Sequence, residues 1–220
     1  QKNNLPIVKT AQEYEKTLSK YNKFKKSGFI NGTFKLKNTF KQVFVDKLYY
    51  LDFYSIERFG KTKLGQLLLY AKQSQDRFLI KELTENVKER ITYLIKKHHI
   101  DGICYVPPTV KREVQFMKEL EDSLDLQLKK ISVIKIKTEI IVPQKTLSKL
   151  DDRIENAKKT FIVEDKERFN NILLLDDAVG SGATINQIAK KITEKQIAGN
   201  KIYGVAITGS FKGFDVISEV

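Results

Sequence analysis

The chain has 220 residues, a hydrophobic fraction of 41% and one cysteine. That is enough apolar material for one packed domain with a small appendage, and too little sulfur for an internal disulfide or a cysteine-based zinc site. No apolar run approaches the roughly 18 residues of a membrane span, and the formal net charge of +13 is high.

The charge is uneven. The first 50 residues hold eleven lysines against three acids, Glu13, Glu15 and Asp46, with tyrosines and phenylalanines interleaved. Such an arm suits a nucleic-acid backbone, and equally a solvated face in a lysine-biased sequence. No secretory leader pattern stands at the start of the sequence, and the expectation is a protein of the reducing cytoplasm.

In chain order, Ala11, Tyr14, Leu18 and Tyr21 recur at helical spacing. They predict a short amphipathic helix over residues 10 to 26, ended by Gly28. From residue 29 to 59 aromatic and β-branched residues are dense. Asn31-Gly32 is a turn signal, and Phe34 and Leu36 alternate with Lys35 and Lys37. A hairpin or small strand layer is predicted there, its aromatics forming its own core. Helices are predicted over 62–73 and 77–99. In the second, Phe78, Ile80, Leu83, Val87, Ile91, Leu94 and Ile95 mark one face, and Lys96-Lys97-His98-His99 form a basic last turn. The adjacent histidines point to different sides of a helix, and no third histidine exists to complete a metal site.

From residue 100 strands and helices alternate. Strands are predicted at 100–106, 131–136, 161–163, 172–175 and 201–208. Helical segments are predicted at 113–124, 153–159 and 185–195, and a polar stretch surrounds Pro143 over 137–151. Units of this length predict an α/β fold, a mostly parallel twisted sheet flanked by helices. The organisation read from this is a basic, aromatic-rich N-terminal extension over 1–60 and an α/β domain over 61–220. Ligands of such sheets sit beyond the carboxyl ends of the strands, so the loops at 107–112, 137–151, 176–184 and 208–214 are expected to converge.

Residues 170–192, NNILLLDDAVGSGATINQIAKKI, carry the most chemistry. Ile172, Leu173, Leu174 and Leu175 read as a strand buried on both faces. Asp176 and Asp177 follow, then a small-residue turn, then Ile185, Ile188, Ala189 and Ile192 at helical spacing. A glycine turn feeding a helix gathers N–H groups at the positive end of the helix dipole, which is a phosphate site. Two acids just before it suit ribose hydroxyls or a hydrated Mg²⁺. The plain alternative is an ordinary strand-to-helix connection with a polar cap.

This stretch resembles the phosphoribosyl diphosphate (PRPP) signature of the type I phosphoribosyltransferases. There an apolar strand runs into an acid pair, two variable residues and a Thr/Ser-rich loop with a central glycine and a closing threonine. Gly180-Ser181 stand where two threonines are more usual. The resemblance implies that Asp176 and Asp177 form the catalytic pair and hold the ribose 2′- and 3′-hydroxyls. It implies that Ala178, Val179, Gly180, Ser181, Gly182, Ala183 and Thr184 cradle the 5′-phosphate. Thr109, Lys111 and Arg112, after the strand at 100–106, would bind the diphosphate. Mg²⁺ would come with PRPP, with no side-chain ligand assigned to it.

Residues 143–161, PQKTLSKLDDRIENAKKTF, are similar to the competence-associated ComF-like branch of that superfamily. Gln144, Leu147 or Leu150, Arg153, Asn156 and Phe161 follow its order. Residues 64–73 are similar to that branch's leucine-rich helix with a lysine near its end. The likeness covers about residues 62–210. The first 60 residues lack the four-cysteine module usual there, and Lys111-Arg112-Glu113-Val114-Gln115 replace an Arg-Gly-Phe-Asn-like run. The chain is read as a divergent member.

The resemblance implies Mg²⁺-dependent transfer of a 5-phosphoribosyl group to a nitrogen nucleophile, with release of diphosphate. Oxocarbenium-like charge in such a step needs shelter from water. Gln144, Lys145, Lys149 and Arg153 are candidates for a lid that supplies it, and Phe211 and Phe214 for an acceptor contact. No residue stands out as a general base, and the acceptor is unassigned. The alternative is a non-catalytic sensor of PRPP or nucleotide that binds single-stranded nucleic acid through its basic N-terminal region, in a DNA-processing role. The expected partners are PRPP, an acceptor, single-stranded nucleic acid and a second copy of the chain, without a membrane.

Overall fold

A computed structural model describes residues 6–108, 112–136 and 150–210. Helix α1 (Ile7–Asn22) leads into a hairpin of β1 (Lys25–Lys26) and β2 (Phe29–Asn31). Its turn is Ser27-Gly28, with φ of +50° and +81°. Two left-handed residues give the backbone twist that a two-residue hairpin needs. The hairpin is therefore at Ser27-Gly28 and not at Asn31-Gly32.

Asn31 has a different task. Its Oδ1 accepts the Thr33 N–H at 3.0 Å, and the chain enters the short helix α2 (Thr33–Thr39). The alternation of residues 34–37, read as a strand, is helical: Lys35 and Leu36 are buried and Phe34 is exposed. Four residues are too few to separate a period of 2 from one of 3.6.

The chain continues through β3 (Lys47–Phe53), α3 (Lys63–Ser74), α4 (Arg77–Lys97), β4 (Gly102–Tyr105) and α5 (Phe116–Leu124). Then come β5 (Lys129–Lys130), β6 (Val133–Lys135), α6 (Leu150–Thr160), β7 (Phe161–Val163), β8 (Phe169–Val179), α7 (Ala183–Glu194) and β9 (Ala198–Gly209). Thr62 starts α3 by accepting the Gly65 N–H at 3.0 Å, and Asp76 starts α4 by accepting the Phe78 N–H at 2.8 Å. No helix among the described residues is long and apolar enough to cross a membrane.

The main sheet has the order β1-β2-β3-β9-β8-β4-β5. The five strands from β3 to β5 in that order are parallel, and β1 and β2 are antiparallel. The strand expected over 131–136 is divided. Ile131 is buried and donates to the Ile103 carbonyl at 2.7 Å, whereas β6 leaves to pair antiparallel with β7.

Helices cover both faces. Leu64 and Leu68 of α3, Leu83, Val87 and Ile91 of α4, and Leu120 of α5 pack on one face. Leu36 of α2, Ala157 of α6, and Ile185, Ile188 and Ile192 of α7 pack on the other. β8 lies between them. Ile172 and Leu174 enter one core, and Leu173 and Leu175 the other, as expected of a strand buried on both faces.

The strands run across the boundary expected at residue 60. β3 lies between β2 and β9, in register with β9 from Lys47↔Tyr203 to Phe53↔Gly209. Leu48 and Leu51 are fully buried, one in each core. A chain cut to residues 61–220 would expose the edge of β9 from Tyr203 to Gly209. It is expected to show no cooperative thermal transition by circular dichroism, and a sharp native-like melt would mean that the first 60 residues are separable.

Candidate functional site

β4 and β8 are neighbours, in register from Gly102↔Ile172 to Tyr105↔Leu175. Their onward connections diverge. From β4 the chain returns through α5, on one face, to β5. From β8 it returns through α7, on the opposite face, to β9 on the other side. The space beyond the carboxyl ends of β4 and β8 is therefore the topological switch point, where an open parallel sheet accommodates a ligand.

β8 does not stop at Leu175. It continues to Val179, pairing Asp176 with Ala206 and Val179 with Gly209. The acid pair thus belongs to the strand rather than following it, and successive strand residues face opposite sides. Asp177 faces α3, where its carboxylate meets the ammonium of Lys72; the two side chains are only 19% and 11% exposed. Asp176 turns toward the other core. Its Oδ1 accepts the Asp177 N–H at 2.9 Å, and its charge reaches Cys104. Burial pushes the Cys104 thiol up to about 12; Lys130 opposes that shift and Asp176 adds to it. A thiol so placed is no nucleophile near neutral pH.

Beyond Val179 the turn Gly180-Ser181-Gly182 leads into α7. Gly182 has φ +84°, and a Cβ there would lie 2.3 Å from Leu36 Cδ2. Glycine is needed for the left-handed backbone and for the close approach of α2. Ser181 is buried, and its Oγ accepts the Ala183 N–H at 3.3 Å. The Gly182 cap contributes no side-chain hydrogen bond, and the first turn of α7 has no acid. The leading N–H groups of a helix have no acceptor within it, so this end attracts an anion.

The turn is tied to its neighbours. The Val179 carbonyl accepts the Ser210 N–H at 3.1 Å, and the Ser210 carbonyl accepts from Lys35 Nζ at 3.1 Å. Lys35 is 5% exposed. An ammonium from α2 therefore stands buried at the ends of β8 and β9.

The structure brings several expected residues together. Asp176, Asp177, Ala178, Val179, Gly180, Ser181, Gly182, Ala183 and Thr184 form one strand-turn-helix at the switch point. Arg112 joins them, its guanidinium donating to the Lys72 carbonyl. Thr109, Lys111, Gln144, Lys145, Lys149, Phe211 and Phe214 lie outside the described residues, and Arg153 belongs to α6.

Two residues at this end have a role that the sequence does not assign: Lys72, the lysine near the end of the leucine-rich segment 64–73, and Lys35. Lys72 closes the helix whose leucine-rich start was noted, directly after the buried Ala71; a lysine next to that apolar face was the available signal. Lys35 had none, being one of eleven lysines in the first 50 residues. Among the described residues no group of three or more His, Cys, Asp or Glu is placed to hold a metal ion. Comparison with protein-family models gives no match, and comparison with curated proteins gives none either.

Gly182→Ala forces a side chain into a left-handed position and against Leu36. It is expected to lower stability by about 1–3 kcal/mol in urea denaturation. A loss below about 0.5 kcal/mol, the ordinary surface range, would mean that the turn tolerates a Cβ.

Proposed function

We propose that the chain binds PRPP and transfers its 5-phosphoribosyl group to a nitrogen nucleophile, releasing diphosphate. One observation carries this reading. At the switch point, an adjacent pair of acids near the end of β8 is followed, after Ala178 and Val179, by a glycine turn and the N-terminus of α7, whose first turn carries no acid. A ligand with a phosphate at one end and vicinal hydroxyls beside it matches that order. The turn and the helix end take the 5′-phosphate, and the carboxylates take the ribose hydroxyls. Arg112 and Lys72, which meet at the end of α3, provide positive charge for the diphosphate.

The chemistry follows from the charges. As the bond from the anomeric carbon to diphosphate breaks, the sugar becomes oxocarbenium-like and the leaving group gains charge. Carboxylates beside the ribose fit the first, and cations beside the diphosphate fit the second. Asp176 and Asp177 are hard oxygen donors, which suits Mg²⁺; this ion keeps water and substrate oxygens and needs few protein ligands. When bound, it would neutralise part of the diphosphate charge. This reading makes the chain a divergent type I phosphoribosyltransferase of the ComF-like kind, working in the cytoplasm.

A second reading rests on a different surface. The rings of Phe24 and Phe34 stack with centroids 6.5 Å apart and are 39% and 50% exposed. Lys23, Lys26 and Lys37 are exposed close by in the chain. Exposed rings among lysines suit the bases and phosphates of a single strand. Here the switch-point site senses PRPP or nucleotide without turnover, while the N-terminal region holds nucleic acid.

Titration calorimetry with PRPP and Mg²⁺ tests the first reading. The wild type is expected to bind, and the double variant Asp176→Ala/Asp177→Ala to lose binding. A silent wild type, or an unaffected variant, overturns it. For the second, fluorescence anisotropy with a labelled single strand should show binding at about 50 mM salt that fades steeply as salt rises. It should weaken in Phe24→Ala/Phe34→Ala; no binding at the low-salt point removes that reading.

A further inference from the structure

We propose that Lys72 couples the two halves of the ligand: its ammonium holds Asp177 until a diphosphate group draws it away. The inference rests on the PRPP reading above and adds a discrimination between PRPP and ribose 5-phosphate.

The geometry places Lys72 between the two subsites. Its ammonium is on Asp177, the ribose side, and its carbonyl accepts from Arg112, the diphosphate side. Phe116 lies beneath it, with the ring centroid 5.7 Å from Nζ, a favourable place for a cation. The loop after β4 is fastened to the same helix end a second time, where the Val114 N–H donates to Gln75 Oε1 at 3.0 Å. The lysine backbone and the loop are thus held together, while the ammonium is carried on a four-carbon stem with several rotatable bonds.

The ion pair is mostly shielded from solvent, so its charges are less screened by salt than those of a surface pair. A carboxylate engaged with an ammonium is a poorer acceptor for ribose hydroxyls. Ribose 5-phosphate brings no anion to the anomeric position, so it must compete with Lys72 for Asp177. Diphosphate carries several charges and outbids a single carboxylate for the ammonium. Once Lys72 has moved, Asp177 is open to the hydroxyls. Binding of one half therefore strengthens binding of the other, and linkage makes the effect reciprocal. The same exchange weakens the hold on a phosphoribosylated product once diphosphate has left.

The test is calorimetry of ribose 5-phosphate with Mg²⁺, with and without saturating inorganic diphosphate. In the wild type, diphosphate is expected to raise the affinity for ribose 5-phosphate at least about five-fold. Lys72→Met and Lys72→Gln should lose that rise and bind ribose 5-phosphate alone at least as tightly as the wild type, whereas Lys72→Arg should keep it. A merely structural lysine would lower both affinities together and leave their ratio intact. Persistence of the rise in both neutral variants overturns the proposal, as does a wild type that binds PRPP but shows no rise. A wild type that binds neither PRPP nor ribose 5-phosphate overturns the PRPP reading and this inference with it.

Discussion

Ile172, Leu173, Leu174 and Leu175 have no exposed surface, and in a strand they face alternate sides. Burying each is worth about 1.5–3 kcal/mol, against a net stability for a domain of about 5–15 kcal/mol. No single layer of helices can cover such a strand. The chain supplies α3, α4 and α5 for one face and α2, α6 and α7 for the other. The connections must then leave β4 and β8 on opposite faces, and that divergence creates the switch point. At Asp176 and Asp177 the apolar run is interrupted before the core resumes at Val179, and the glycine turn follows. The position of the site is a consequence of how the core is closed.

The acids inherit their difference from the same strand geometry. Being consecutive, they cannot face the same way. Asp177 meets Lys72 on the α3 side, and Asp176 is held by the N–H of Asp177. Neither half-buried carboxylate is left without a compensating group, as the cost of desolvating a charge requires. One is restrained by a side-chain cation, the other by a backbone donor. Two residues that look equivalent in the sequence are unequal in the folded chain.

The strand-turn-helix at 169–194 was legible because three local signals agree there: an apolar run, glycines at the turn, and helical spacing after it. α3 and α4 were legible for the same reason, with caps at Thr62 and Asp76 to mark their starts. α2 was not, because four alternating residues fit either period. The place of β3 was not legible either. Its residues read as a strand, but its partner β9 lies some 150 positions away, and no local pattern specifies that pairing. The roles of Lys72 and Lys35 were hidden by abundance, since the chain has forty lysines and arginines. Which of them is buried beside a carboxylate or a strand end is decided by packing alone.

The first 60 residues, which carry no part of the resemblance, build one wall of the Gly180-Ser181-Gly182 turn. Leu36 occupies the space that a side chain at residue 182 would need. Asn186 of α7 accepts the Phe44 N–H at 2.9 Å and donates to the Gln42 carbonyl at 3.0 Å, which fastens this segment along the helix. Lys35 adds a buried ammonium where β8 and β9 end. The segment read from the sequence as an extension is therefore structurally continuous with the strand-turn-helix it packs against.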